Sequence, residues 1–139
     1  MGGALSEGTF DGQPPHLVHA PSGFRVWFIR PIGMLTQVGE QRHAGAEVAR
    51  FLSVTASAEL MRRRRPTERL LFIHDWRQLT GYSPEAREIM TRWGISMRDH
   101  ADRIVLSLAP GAQMVKMGVS VAAVALQLVG FIVETVDDP

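Results

Sequence analysis

The chain has no cysteine, which excludes disulfide staples, a thiolate nucleophile and any Cys-based metal site. Of the possible compartments, a reducing cytoplasm fits that lack best. Charge of one sign is also missing. The net charge is +1, so no global field draws the protein to nucleic acid or to a membrane surface. The first twenty residues lack a basic start followed by an apolar core, so no signal peptide is expected. The glycine fingerprints that cradle phosphates, GxGxxG and GxxxxGK[ST], do not occur, and neither does the GxSxG nucleophile elbow. Long hydrophobic runs are scarce. The one uncharged stretch, Met117 to Val133, is interrupted by Ser120 and Gln127 and broken at Gly130. It reads as a buried helix followed by a buried strand rather than a membrane span.

What remains is ordinary globular material. At 139 residues, 45% hydrophobic and 21% charged, the chain fits one domain with a core of its own. Residues 1–15 hold four Gly and two Pro with little periodicity and read as a flexible N-terminal tail, leaving 16–139 as the folded domain. His16 to Ala20 suits a short edge strand, and Pro21-Ser22-Gly23 a turn. Phe24 to Arg30 alternates in strand fashion, and Ile32 to Thr36 is expected to continue that strand past a bend at Gly33. From about Val38 the period changes. Val48, Leu52, Ala56 and Leu60 make a helical stripe, with a kink expected at Ser53-Val54-Thr55 and a stop at Pro66.

Leu70-Leu71-Phe72-Ile73 is apolar throughout and reads as a central strand with helices on both sides. Ser83-Pro84-Glu85 carries the marks of a helix start, with Ser as N-cap. The apolar face Ala86, Ile89, Met90, Trp93 and Met97 follows. A strand at 104–108, a helix at about 112–129 and a last strand at 131–136 complete the order β-β-α-β-α-β-α-β. That alternation predicts an α/β fold: a mostly parallel mixed sheet of about five strands with three main helices.

The segment from Leu70 to Arg87, LLFIHDWRQLTGYSPEAR, resembles the central strand, loop and helix start of STAS domains of the SpoIIAA-like family. Gly33-Met34-Leu35-Thr36, between a strand and a helix, is similar to that family as well, and the order of elements follows it over about residues 16 to 136. The resemblance implies a non-catalytic protein-interaction module, regulatory or scaffolding, that works through the loop after the central strand. Asp75, Trp76, Tyr82 and Ser83 are then the contact residues. In the anti-sigma-factor antagonists of this family a partner kinase phosphorylates a serine in that loop, which makes Ser83 the candidate phosphosite. Tyr82-Ser83-Pro84 stands here in place of their Asp-Ser-Ser-like string. The family also carries a helix after the last strand, whereas this sequence ends at Asp137-Asp138-Pro139. Some relatives are similar to lipid carriers, so the alternative is a small carrier of a lipid or another apolar ligand.

Read on their own, the chemistry-bearing residues point to no catalytic, metal or cofactor site. His74-Asp75 ends a strand with no second cluster at ligand spacing, although a hydrolase using the pair is the third alternative. Glu85 and Glu88 lie beside Arg87 and Arg92 as ordinary helix-surface pairs. Read from the residues, Ser83 is first of all a plain N-cap and only second a switch. Arg62, Arg63, Arg64 and Arg65 suit a solvated helix end, or contact with an anionic partner. No aromatic residues interleave them, so nucleic acid is not expected. The 112–129 helix has only a narrow polar stripe, Gln113, Lys116, Ser120 and Gln127. More apolar surface than one sheet face needs means either an unusually buried helix or a protein interface, and a homodimer or a tight partner is expected at Val115, Val119 and Ala122 or their neighbours.

Overall fold

The computed structural model describes residues 5–6, 9–10, 13–29, 33–109, 111 and 113–137. Two short strands, β1 (Leu5–Ser6) and β2 (Thr9–Phe10), pair antiparallel with each other. There follow β3 (Leu17–His19), β4 (Phe24–Trp27), β5 (Gly33–Gln37) and β6 (His43–Ala44). A helical stretch comes next, made of α1 (Ala46–Arg50), a π-helical segment (Phe51–Ala56) and α2 (Ser57–Arg63). The rest is β7 (Leu70–Trp76), β8 (Gly81–Tyr82), α3 (Pro84–Ser96), β9 (Ala101–Leu108), α4 (Gln113–Leu128) and β10 (Ile132–Asp137). Six of the strands form one sheet in the order β10-β9-β7-β5-β4-β3. Strands β5, β7, β9 and β10 run parallel, while β4 and β3 are added antiparallel at the other end.

The α/β class, the mixed sheet and the main helices agree with the sequence reading; the strand count rises by one. Residues 33–37 do not prolong the preceding strand. They form β5, antiparallel to β4 and parallel to β7. The Gly33 N–H donates to the Ile29 carbonyl at 2.6 Å, and Gly33 takes φ +95°, a conformation open to glycine and strained for other residues. The chain therefore reverses where a bend was expected. The period changes from about Val38, and the helix marked by the Val48 to Leu60 stripe starts at Ala46. Its expected kink at Ser53-Val54-Thr55 falls inside the π-helical turn, where β-branched residues weaken the ordinary hydrogen-bond ladder.

The crossovers from β5 to β7, β7 to β9 and β9 to β10 all step in the same direction across the sheet. Right-handed connections then put every crossover helix on one face. In agreement, α1 touches α3 and α3 touches α4, side by side. This corrects the expectation of helices on both sides of β7. Phe72 and His74 point into the helix layer and are buried, whereas Leu71 and Ile73 face the other way and are only half-buried. An all-apolar strand resulted from a one-sided cover, because the helix-free face is itself shielded near β4 and β5. Trp27 and Leu35 lie there fully buried, and the Trp27 indole donates to the Gln13 carbonyl at 3.0 Å. Gln13 belongs to the stretch expected to be a flexible tail, as do β1 and β2; residues 1–4, 7–8 and 11–12 lie outside the described residues.

The turn at residues 20–23 and the loop at 39–41 press together. A Cβ on Gly39 would overlap the backbone carbonyl of Gly23, which itself holds φ +77°. Backbone has no rotamer by which to yield. Gly39→Ala is expected to destabilise the fold by about 2 kcal/mol or more. Gly111→Ala, which meets nothing within 4 Å, should stay within about 0.5 kcal/mol of the parent. Urea denaturation of both variants checks this, and equal midpoints for the two would refute the close approach.

Candidate functional site

A row of aromatic rings runs along the buried face of β7. Trp93 of α3 stacks on Phe72 (centroids 5.0 Å apart, 25°), and His74 stacks on Trp76 (4.6 Å, 27°). Alternation along the strand fixes this: residues 72, 74 and 76 share a face, and β5 sets Met34 beside Phe72 and Thr36 beside His74. Thr36 Oγ1 lies 2.7 Å from His74 Nδ1 and accepts the Trp76 indole N–H at 3.0 Å. An indole only donates. Among the described residues the threonine hydroxyl has no acceptor for its own proton other than Nδ1, so it donates there and the histidine proton sits on Nε2. Burial pushes the His74 pKa down to about 3, so the ring is neutral at physiological pH.

His74 lines a cavity of about 90 Å³ between the sheet and the helix layer, together with Phe24, Trp76, Tyr82, Trp93 and Val119 among others. Tyr82 reaches across it. Its hydroxyl donates to the Val115 carbonyl at 3.4 Å, and its pKa is raised by burial, against the opposing influence of Arg87. Gly118 makes this possible, since a Cβ there would overlap the Tyr82 hydroxyl.

Asp75 points to the opposite face. Its carboxylate accepts from Arg77 Nε at 2.7 Å and Nη2 at 2.9 Å, and from Gln37 Nε2 at 3.2 Å; Gln37 in turn accepts from Arg25 at 3.0 Å. Burial raises the Asp75 pKa, but the Arg77 and Gln37 hydrogen bonds outweigh it and hold the carboxyl below its ordinary range. This polar ladder ties β4, β5 and β7 together. His74 and Asp75 therefore do not share a site. Among the described residues no group of three or more His, Asp or Glu side chains is placed to hold a metal.

The other residues expected to meet a partner are largely engaged within the protein. Ser83 Oγ accepts the Ala86 N–H at 3.0 Å as the N-cap of α3, and Trp76 is half-buried over His74. Tyr82, in β8, pairs in register with Ala44 of β6. Of the arginine run, Arg62 and Arg63 both bind Glu59, and the Arg63 guanidinium also lies 5.0 Å over the Phe28 ring. Arg64 donates to the carbonyls of Arg65 and Pro66, and the Arg65 backbone N–H donates to Glu68.

On α4 the three residues named for a contact turn inward, and their neighbours turn outward. Val115 and Val119 are buried and Ala122 half-buried, facing the sheet and α3. The outward stripe is Met114, Met117, Val121, Val124 and Leu128, each between 56% and 82% exposed. Their spacing, alternately three and four residues, is that of a coiled-coil seam. The sequence signal was present but overlapped with the inward set. No helix among the described residues is long and apolar enough to cross a membrane. Comparison with family models, with curated proteins and with solved structures finds no match.

The His74 environment has a measurable signature. Its folded pKa of about 3 lies below the 6.5 of an unburied histidine. Between those values the unfolded chain takes up a proton that the folded chain refuses, so this stability is complete above pH 6.5 and is lost as the pH falls toward 3. From pH 7 to pH 4.5 the loss is about 2–3 kcal/mol. At pH 4.5 the Asp75 carboxyl, whose pKa is already held low, adds little. Denaturant melts at both pH values should show this drop for the wild type and a much flatter response for His74→Leu. Equal drops in the two proteins would mean that the ring is not the buried titrating group.

Proposed function

We propose that the chain is a non-catalytic interaction module of STAS/SpoIIAA-like type, regulatory or scaffolding and cytoplasmic, which works as a homodimer through α4. The observation that carries this reading is the outward stripe Met114, Met117, Val121, Val124 and Leu128. Five large side chains more than half exposed expose on the order of 600 Å², at the top of what a monomer leaves bare. With the exposed Gln113, Ser120 and Gln127 as a rim, the patch approaches the ~800 Å² that each partner gives to a stable interface. A second copy is the occupant favoured. The seam is free of charge, and a pattern of alternating threes and fours is what two like helices present to each other about a two-fold axis.

The loop at 75–87 then acts as a frame and as a point of control. Asp75 and Trp76 hold the strand end in place. Ser83, at the start of α3, is where a partner kinase would set a phosphate that the helix dipole favours. Arg62 and Arg63 share Glu59, and Arg64 donates to backbone carbonyls, so these side chains are partly engaged within the chain. The alternative, a lipid carrier, finds little support in a cavity of about 90 Å³, since pockets for drug-sized ligands hold roughly 300–1,000 Å³.

Val121 sits mid-seam and is 60% exposed, so an aspartate there meets water in the monomer and a desolvated partner in the dimer. Sedimentation at tens of micromolar should give a dimer for the wild type and a monomer for Val121→Asp. Denaturation midpoints of the separated monomers should agree within about 0.5 kcal/mol. A monomeric wild type, or a variant that still dimerises, defeats the proposal.

A further inference from the structure

We infer that the cavity beneath α4 is a binding site for a small uncharged molecule bearing one hydrogen-bond acceptor, such as a short-chain ketone or aldehyde, with His74 Nε2 as the donor. The inference is independent of the α4 seam, which lies on the other side of that helix.

Geometry leads to it in three steps. First, His74 is 3% exposed, and its one hydrogen bond goes through Nδ1 to Thr36. Its Nε2 has no hydrogen-bond partner. Yet the only fully enclosed side-chain nitrogen or oxygen lacking a partner among the described residues is Arg64 Nε. Nε2 therefore borders open space, and the space that His74 lines is this cavity. Buried polar groups in native proteins are nearly always satisfied, so a donor held unmade in an apolar wall points to a missing acceptor.

Second, the rest of the wall offers a ligand shape rather than hydrogen bonds. Phe24, Trp93, Leu106 and Val119 are apolar. The Tyr82 hydroxyl is committed to the Val115 carbonyl, and Thr91 Oγ1 to the Arg87 carbonyl. Arg87, exposed at the surface, lies against Tyr82. The mostly apolar wall gives a water at Nε2 few other protein partners, so a molecule that offers an acceptor and fills the remaining volume can displace it. Third, the imidazole is neutral and committed to one tautomer by the Trp76–Thr36 relay. The one charged residue of the lining, Arg87, is exposed at the surface, so a carboxylate or a phosphate at the buried Nε2 would exchange its water for a neutral donor.

Size narrows the class. A cavity of about 150 Å³ takes benzene, so about 90 Å³ suits a ligand of roughly four or five heavy atoms. The probes are 2-butanone and 2-methyl-1-butene, which share a shape and differ in the acceptor. Titration of each into the full chain, followed by NMR, should show the ketone shifting the His74 ring N–H and the Trp93 and Val119 signals. The ketone should bind at least tenfold more tightly than the alkene. In His74→Phe the ketone preference should vanish. Three outcomes overturn the inference: equal binding of ketone and alkene by the wild type, binding of the ketone unchanged in the variant, or no cavity signal moved by either probe. The wild-type comparison decides the matter alone should the variant fail to fold.

Discussion

Everything in this molecule follows from three crossovers that step the same way. Because β5, β7, β9 and β10 are laid down in one direction, right-handed connections collect α1, α3 and α4 on one face of the sheet. The two faces are then covered by different groups. The covered face hosts Phe72, Leu106 and the histidine that burial keeps neutral. The open face carries the charged and amide ladder of Arg25, Gln37, Asp75 and Arg77. A strand that alternates between such faces can set a neutral imidazole next to an ionised carboxylate in sequence without letting them interact. That is why His74 and Asp75, adjacent in sequence, do not meet at one site.

The same constraint explains α4. It is the last helix of the layer, and its helix neighbour is α3. A helix at the end of a row has one flank without a partner. On most such helices that flank is polar, yet here it is methionine, valine and leucine. The inward set, Val115, Val119 and Leu126, already satisfies what the sheet and α3 require. The outward set is thus surplus to the folding of one chain, and it is the surface that the proposed α4 dimer would cover.

Much of the fold was legible because local chemistry and tertiary structure agree. Ser83-Pro84-Glu85 caps α3 as its residue types require, and the run of β-branched and polar residues at 53–55 falls where the helix loosens. Two features were not legible, for physical reasons. Alternation at 24–30 and at 32–36 is the same whether the chain bends or reverses, and the choice was made by Gly33 with its hydrogen bond to Ile29. An apolar strand such as Leu70–Ile73 looks alike whether helices cover it twice or once, because Trp27, Leu35 and the Gln13 segment supply the second cover from far off in sequence. At α4 both sides are apolar, so periodicity alone could not say which of two nearly opposite stripes faces outward. The candidate site was half visible. His74 stood out, but its partner Thr36 comes from β5, the very strand whose independence the sequence hid.

Glycines in two helices complete the argument for the cavity. Gly118 leaves room for the Tyr82 ring against α4, and Gly94 lets Leu126 of α4 come close to α3, with an added Cβ only 2.8 Å from Leu126 Cδ2. Such close approach would by itself squeeze the layer shut. The space that persists lies where Tyr82, Trp93 and His74 stand around it as rigid rings. Flexible side chains would collapse into a gap of this size, whereas planar rings pinned by the Tyr82–Val115 and Trp76–Thr36 hydrogen bonds and by the Trp93 indole on Ser57 do not. The cavity is thus held open by aromatic groups that are each hydrogen-bonded at one end. The one ring with an unused polar atom is the one that faces into it.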